Sequence, residues 1–234
     1  MNYFYHPDPE SNKELDSEES FHCVKVLRKN QGDEVDIIDG KGNIFKCRLE
    51  KATHRKCSFS ILSKKTFLNP KPYYTHIAIA PTKSQDRIEW FVEKACELGV
   101  DEISFINTQR TERKKVNLGR VEKKAIGAMK QSKNIFKTVI NEIILYNKFI
   151  MNDYKDFDKF IAFVDHDNTD QLSSMVRKNK NYLILIGPEG DFTHDELLMA
   201  NEQLFRKVAL GYTVLRTETA GIVASNTLNI INQI

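Results

Sequence analysis

Two stretches hold residues whose types and spacing could do chemistry. The first, LILIGPEGDFTHDELL at 183–198, runs an apolar strand into a turn rich in glycine and then into a helix. Thr193 and Glu196 have the spacing of a capping box, so the helix begins just after Thr193. Gly187-Pro188-Glu189-Gly190 then lies beyond the carboxyl end of a strand, where open α/β sheets bind their ligands. Gly187 and Gly190 would let the main chain approach a ligand, and Pro188 would fix the turn. The same four residues would also make a tight turn with no ligand. The second stretch, LGYTVLRTETAGIVA at 210–224, again follows a strand-like segment with a glycine at its end. Thr217 or Thr219 can cap the helix that follows, and Glu218 suits its positive end. Capping does not require Arg216 beside Glu218. Neither stretch contains GxGxxG or GxxxxGK[ST], so dinucleotide and triphosphate cradles are unsupported.

The elements that must position these residues follow from periodicity. From Thr75 onward, THIAIA, EISFI (102–106), KFIAFV (159–164), YLILIG (182–187) and KVALG (207–211) read as buried strands. Between them, Ile88, Phe91, Val92, Ala95 and Leu98 make a helical stripe closed by Gly99. Val121, Ala125, Ala128 and Met129 make a weaker stripe, and Ala220, Val223, Ala224, Leu228 and Ile231 the last. Buried strands alternating with helices predict an α/β unit with a parallel sheet. The first seventy residues read differently. VDIIDGKGNIFKCRLEKA and CSFSILSKK predict short strands around a turn, and Phe21, Val24 and Leu27 fall on one helical face. The acidic stretch 8–19 is expected to be an exposed loop, and LNPKPYY (68–74) a linker.

Composition bounds the function. The chain has 234 residues, 41% of them hydrophobic and 29% charged, as in an ordinary globular protein. The start, MNYFYHPDPE, lacks the pattern of a signal peptide, and no apolar run reaches the roughly 20 residues that a membrane span needs. A cytoplasmic location is expected. Cys23, Cys47, Cys57 and Cys96 form no CxxC pair, so reduced thiols and no metal site are expected. The net charge of +3 hides a partition: residues 20–70 carry eleven Lys/Arg against five Asp/Glu, and residues 109–137 carry ten against two. Two such blocks suit a polyanion, although each could also be a solvated face.

LILIGPEGDF followed by LGYTVLRTETA closely resembles the RsmE family, SPOUT-class methyltransferases that methylate N3 of a uridine in 16S ribosomal RNA. FHCVKVLRKNQGDEVDIIDGKGN is similar to the family's PUA-like RNA-binding module, KSQDRIEWFVEKACELGVDEI to the opening of its catalytic domain, and AMKQSKN to its Gln-Ser motif. The resemblance implies a PUA-like β domain over 1–70 and, over 73–234, a parallel-sheet domain with a C-terminal trefoil knot. It implies a homodimer. It also implies S-adenosylmethionine bent among three loops: the end of FIAFVDH (164–166), Gly187–Gly190, and Leu210–Thr217. Val164, Gly187, Pro188, Glu189, Gly190, Leu210, Gly211, Leu215, Arg216, Thr217 and Ala220 are the expected cofactor contacts. Three departures touch the substrate side: Lys130 stands before Gln131-Ser132 where the family commonly has an acidic residue, Gln109-Arg110 replaces Glu-Arg, and Thr213 replaces an arginine.

Methyl transfer to a nitrogen that carries a weakly acidic proton needs a base or stabilisation of the resulting anion. Arg216 is the candidate for the anion, unless it merely pairs with Glu218 or Glu189. Glu218 and Glu189 are the candidate bases, and His22 and His166 are expected to be structural. Lys25, Arg28, Lys29, Arg110, Arg113, Lys114, Lys115, Lys130, Gln131 and Lys133 are the expected contacts to RNA in the small ribosomal subunit. Action on another RNA or position, or RNA binding without catalysis, stays open at this level. If the second basic block meets phosphates, changing Lys114 and Lys115 to Ala flattens the salt dependence of RNA binding by roughly one unit of slope per lost contact. A titration across salt concentrations reads that slope, and an unchanged one returns both lysines to the solvent.

Overall fold

The computed structural model describes residues 2–165 and 170–232. The chain divides into two compact units, one of residues 1–70 with 126–137 and the other of 71–125 with 138–234.

The first unit holds β1 (Tyr3–Tyr5), β2 (Glu14–Leu15), α1 (Ser17–Phe21), β3 (Glu34–Ile38), β4 (Asn43–Ala52) and β5 (Cys57–Thr66). Its sheet runs β1-β3-β4-β5-β2, with β1 parallel to β3 and the other pairs antiparallel. Alternating residues of β4, Phe45, Cys47 and Leu49, turn inward against Phe4, Ile37 and Phe59. Two expectations are corrected. The acidic stretch is not simply an exposed loop, because Leu15 and Glu19 within it are buried and Asp16 caps α1 through the Glu19 amide at 2.7 Å. Beyond α1 the chain enters a π-helical turn, His22–Val26, whose wider spacing buries Cys23 and leaves Phe21 52% exposed. Residues 126–137 also belong to this compact unit. Lys137 donates to the Gly40 carbonyl at 2.8 Å, Gly42 to that of Ile135 at 3.1 Å, and Lys41 bridges Phe136.

The second unit contains β6 (Thr75–Ile79), α2 (Gln85–Glu97), β7 (Glu102–Asn107), the start of α3 (Leu118–Gln131), β8 (Val139–Leu145), α4 (Tyr146–Ile150), β9 (Phe157–Ala162), α5 (Leu172–Met175), β10 (Asn181–Ile186), α6 (His194–Glu202), β11 (Arg206–Val208) and α7 (Thr217–Asn232). All its strands are parallel, in the order β11-β9-β10-β6-β7-β8. Apolar runs make β6 and β10 central, since a parallel strand covered on both faces has no polar side. Helices α4 and α6 cover one face through Tyr146, Phe149, Leu197 and Ala200. On α7, a Cβ at Gly221 would run into the Phe91 ring of α2 and lie 3.2 Å from Ile79 of β6, so a glycine lets that helix close down. Strand β8, which periodicity does not announce, is an edge strand with Val139 and Leu145 half exposed.

At the amino ends of β6, β7 and β8 lies a partly buried polar network around the buried His76 and Ser104. His76 Nε2 is 2.8 Å from Ser104 Oγ, Asn141 donates to Ser104 and to Glu102, and Tyr74 donates to Glu102. Burial pushes His76 down to about 4, against the pull of Glu102. Between that value and the ordinary histidine range the unfolded chain binds the extra proton, so stability is full above roughly pH 6.5 and is lost as pH falls toward 4. The loss attributable to His76 is about 3 kcal/mol at most. Denaturant unfolding from pH 7 to pH 4 should show a stability gap between wild type and His76→Gln that narrows over that window; a gap independent of pH would contradict this.

Candidate active site

Strands β9, β10 and β11 end level: Ala162 pairs with Ile186 and also with Val208. Three loops therefore leave one edge of the sheet together, and between them lies a cavity of about 510 Å³. The first loop contributes Phe163, Val164 and Asp165; the second Gly187, Pro188, Glu189 and Asp191; the third Leu210 through Leu215. Thr217 and Ala220 of α7 and Gln171 complete the wall. A cavity of this size with mostly apolar walls and a few polar groups suits one small molecule. Val164, Pro188, Leu210 and Leu215 offer flat apolar contact.

Each loop is tied down by named bonds. Asp191 accepts from Val164 N–H at 2.8 Å and from Phe192 N–H at 2.8 Å. Gln171 accepts from Gly211 N–H at 3.0 Å, and Lys207 reaches Asp165 at 2.5 Å. Glu189, exposed on the second loop, accepts from Lys83 N–H at 3.0 Å. Arg110 donates to the Gly190 carbonyl at 2.6 Å, and Arg113 to the Lys83 carbonyl at 2.7 Å. The capping box forms, and the free oxygen of Glu196 takes the Gln109 N–H at 2.7 Å.

Not every expected residue reaches the cavity. Gly190 lies off it; a Cβ there would only touch the Arg110 side chain, at 3.4 Å. Gly187 lines the cavity, but a Cβ there would meet Asp191 Oδ1 at 3.0 Å and the Phe192 ring at 3.1 Å. Arg216 is exposed, off the lining, and has no side-chain partner among the described residues. Glu218 is buried and faces Arg87 of α2 at 3.7 Å, so it does not pair with Arg216. Its Oε2 has no hydrogen-bond partner among the described residues. His166 lies outside the described residues. Asp191 and Gln171, which the sequence reading passed over, both line the cavity; the only sequence signal was an Asp in the glycine turn.

The candidate RNA contacts divide in two. Lys25, Arg28, Lys115, Gln131 and Lys133 are exposed, and Lys114 is exposed while donating to Asn107 at 2.9 Å. Lys29 donates to the Glu34 carbonyl at 3.3 Å. Lys130 is not available: its ammonium pairs with the buried Glu19, whose carboxyl burial raises above the usual range even beside that lysine. Arg113 donates to backbone carbonyls through Nε and Nη2, and Arg110, still exposed, through Nη1. All four cysteines are free and buried, and burial pushes Cys23 and Cys47 up to about 12, which keeps them unreactive. No metal-binding cluster occurs among the described residues.

Comparisons with known proteins fit this geometry. Residues 69–229 match the family model of the RNA methyltransferase domain, and residues 15–62 that of the RNA methyltransferase PUA domain. A probable rRNA-methyltransferase from Porphyromonas gingivalis is 37% identical with a TM-score of 0.93, covering 100% of this chain and 99% of that one. Ribosomal RNA small subunit methyltransferase E from Neisseria gonorrhoeae, solved bound to S-adenosyl methionine, is 27% identical with a TM-score of 0.84, covering 99% and 98%. The protein of the same name from Rickettsia conorii is 28% identical, over 90% of this chain and 86% of that protein. The chain belongs to the RNA methyltransferase family, among the relatives of ribosomal RNA small subunit methyltransferase E.

Proposed function

We propose that this chain methylates N3 of a uridine in 16S ribosomal RNA of the small subunit, with S-adenosylmethionine as donor. The observation that carries the reading is the cavity where β9, β10 and β11 end, in a chain whose relatives include a structure holding that cofactor in the same fold. When bound, the cofactor supplies an electrophilic methyl group on sulfur. Val164, Pro188, Leu210 and Leu215 would hold its flat ring, and Asp165 and Glu189 would favour its positive charge. A base on this chain would take the uridine N3 proton, and the chain would hold N3 in line with that methyl group, whose transfer would leave S-adenosylhomocysteine.

Of the candidate bases, Glu189 has the better position. It lies on the cavity with Oε1 held by Lys83, whereas Glu218 is buried against Arg87. Arg216, exposed just before α7 and without a side-chain partner among the described residues, would stabilise the uridine anion. RNA would be met by the exposed Lys25, Arg28, Lys114, Lys115, Gln131 and Lys133, with phosphate contacts fixing position rather than sequence. The C-terminal trefoil knot of the SPOUT class, a homodimer and a cytoplasmic location belong to the same reading. No helix among the described residues is long and apolar enough to cross a membrane.

Small ribosomal subunits from cells lacking this protein should accept one methyl group, recovered after digestion as N3-methyluridine by mass spectrometry. Methyl on ribose, on guanine or on transfer RNA would overturn the substrate assignment. Arg216→Ala should lower kcat on those subunits by about 100-fold, the scale of losing one anion-stabilising donor, with little change in cofactor affinity. Light scattering should give a dimer of the 27.1 kDa chain; a fully active monomer would contradict that.

A further inference from the structure

The geometry points to Asp191 as the residue that locks the first two cofactor loops together and sets affinity for the cofactor. The inference rests on the proposed cofactor site and goes beyond it by assigning a positioning role to the aspartate that ends the glycine turn. Asp191 sits at φ +59°, a conformation that a non-glycine residue adopts at a cost. That backbone, with its N–H bonded to the Pro188 carbonyl at 2.9 Å, turns the carboxylate back across the start of the loop. One oxygen accepts Val164 N–H from the loop after β9, and the other accepts Phe192 N–H. Val164, Asp191 and Gly187 all line the cavity.

Gly187 then acquires a reason that concerns no ligand. A Cβ at that position would stand 3.0 Å from Asp191 Oδ1 and 3.1 Å from the Phe192 ring, so any side chain would press on the carboxylate and its neighbour. The glycine makes room for the lock. Asp191 is largely enclosed, and its carboxyl is raised above the usual range by burial, with the two N–H bonds and Arg110 pulling down and Glu196 pushing up. Protonation leaves one N–H without its charged acceptor. Asparagine has the same shape but a single acceptor oxygen, so it cannot satisfy both N–H groups.

Asp191→Asn tests the lock, with Asp191→Gly as a companion that removes the carboxylate while accepting the positive φ without strain. Asp191→Asn should raise the Kd for S-adenosylmethionine by about tenfold, the effect of leaving one hydrogen bond to a charged acceptor unmade, and Asp191→Gly, which removes both acceptors, by at least as much. With the cofactor saturating, kcat and the KM for RNA should stay within about twofold of wild type, a split that a general loss of folding would not give. The wild-type Kd should weaken as pH falls through the titration of this carboxyl, and the Asn variant should lose that dependence. Wild-type affinity in the Asn variant, or an unchanged pH dependence, overturns the assignment while leaving the cofactor site standing. A wild-type protein that binds no S-adenosylmethionine overturns both.

Discussion

The site depends on one constraint: β9, β10 and β11 stop at the same level. A parallel sheet sends every strand out of the same edge, and level endings force neighbouring loops to leave side by side. Here those loops carry Val164, Gly187–Asp191 and Leu210–Leu215, and the space they cannot fill is the cavity. The apolar runs that make β10 central thereby also place the glycine turn at the middle of the ligand edge. Gly221 completes the arrangement by letting α7 settle against Phe91 and Ile79, which brings Thr217 and Ala220 to the far wall.

Around that cavity, charge is used mainly to hold backbone. Arg110 fixes the Gly190 carbonyl, Arg113 the Lys83 carbonyl, Asp191 two amides and Glu196 two more. Hydrogen bonds with one charged partner are stronger than neutral ones, and a loop without regular secondary structure has few other means of keeping one shape. Two arginines of a block whose charge suits RNA are thus committed to the architecture of the site. Lys130 shows the same use in the first unit, where its charge compensates the buried Glu19.

Much of this was legible in the sequence because it rests on patterns of short range. Continuous apolar runs marked the parallel strands β6, β9 and β10, the stripe from Ile88 to Ala95 marked the buried face of α2, and Thr193 with Glu196 marked the start of α6. What escaped depends on contacts between distant segments. Whether Lys130 is free depends on Glu19, 111 residues away, and Arg110 meets Gly190 across 80 residues. The π-helical turn at His22–Val26 shifts the buried position by an amount that a 3.6-residue period cannot register. Gly187 was visible as a glycine, but the side chains packed against it, Asp191 and Phe192, were not.

The central claim is that the cofactor lies where β9, β10 and β11 end. A crystal structure of the protein with S-adenosylhomocysteine tests it most directly. The account predicts ligand density between Val164, Pro188 and Leu210–Leu215, with Asp191 still bonded to Val164. Density at the opposite end of the sheet, in the cleft beside Glu102, Ser104 and Asn141, would contradict it.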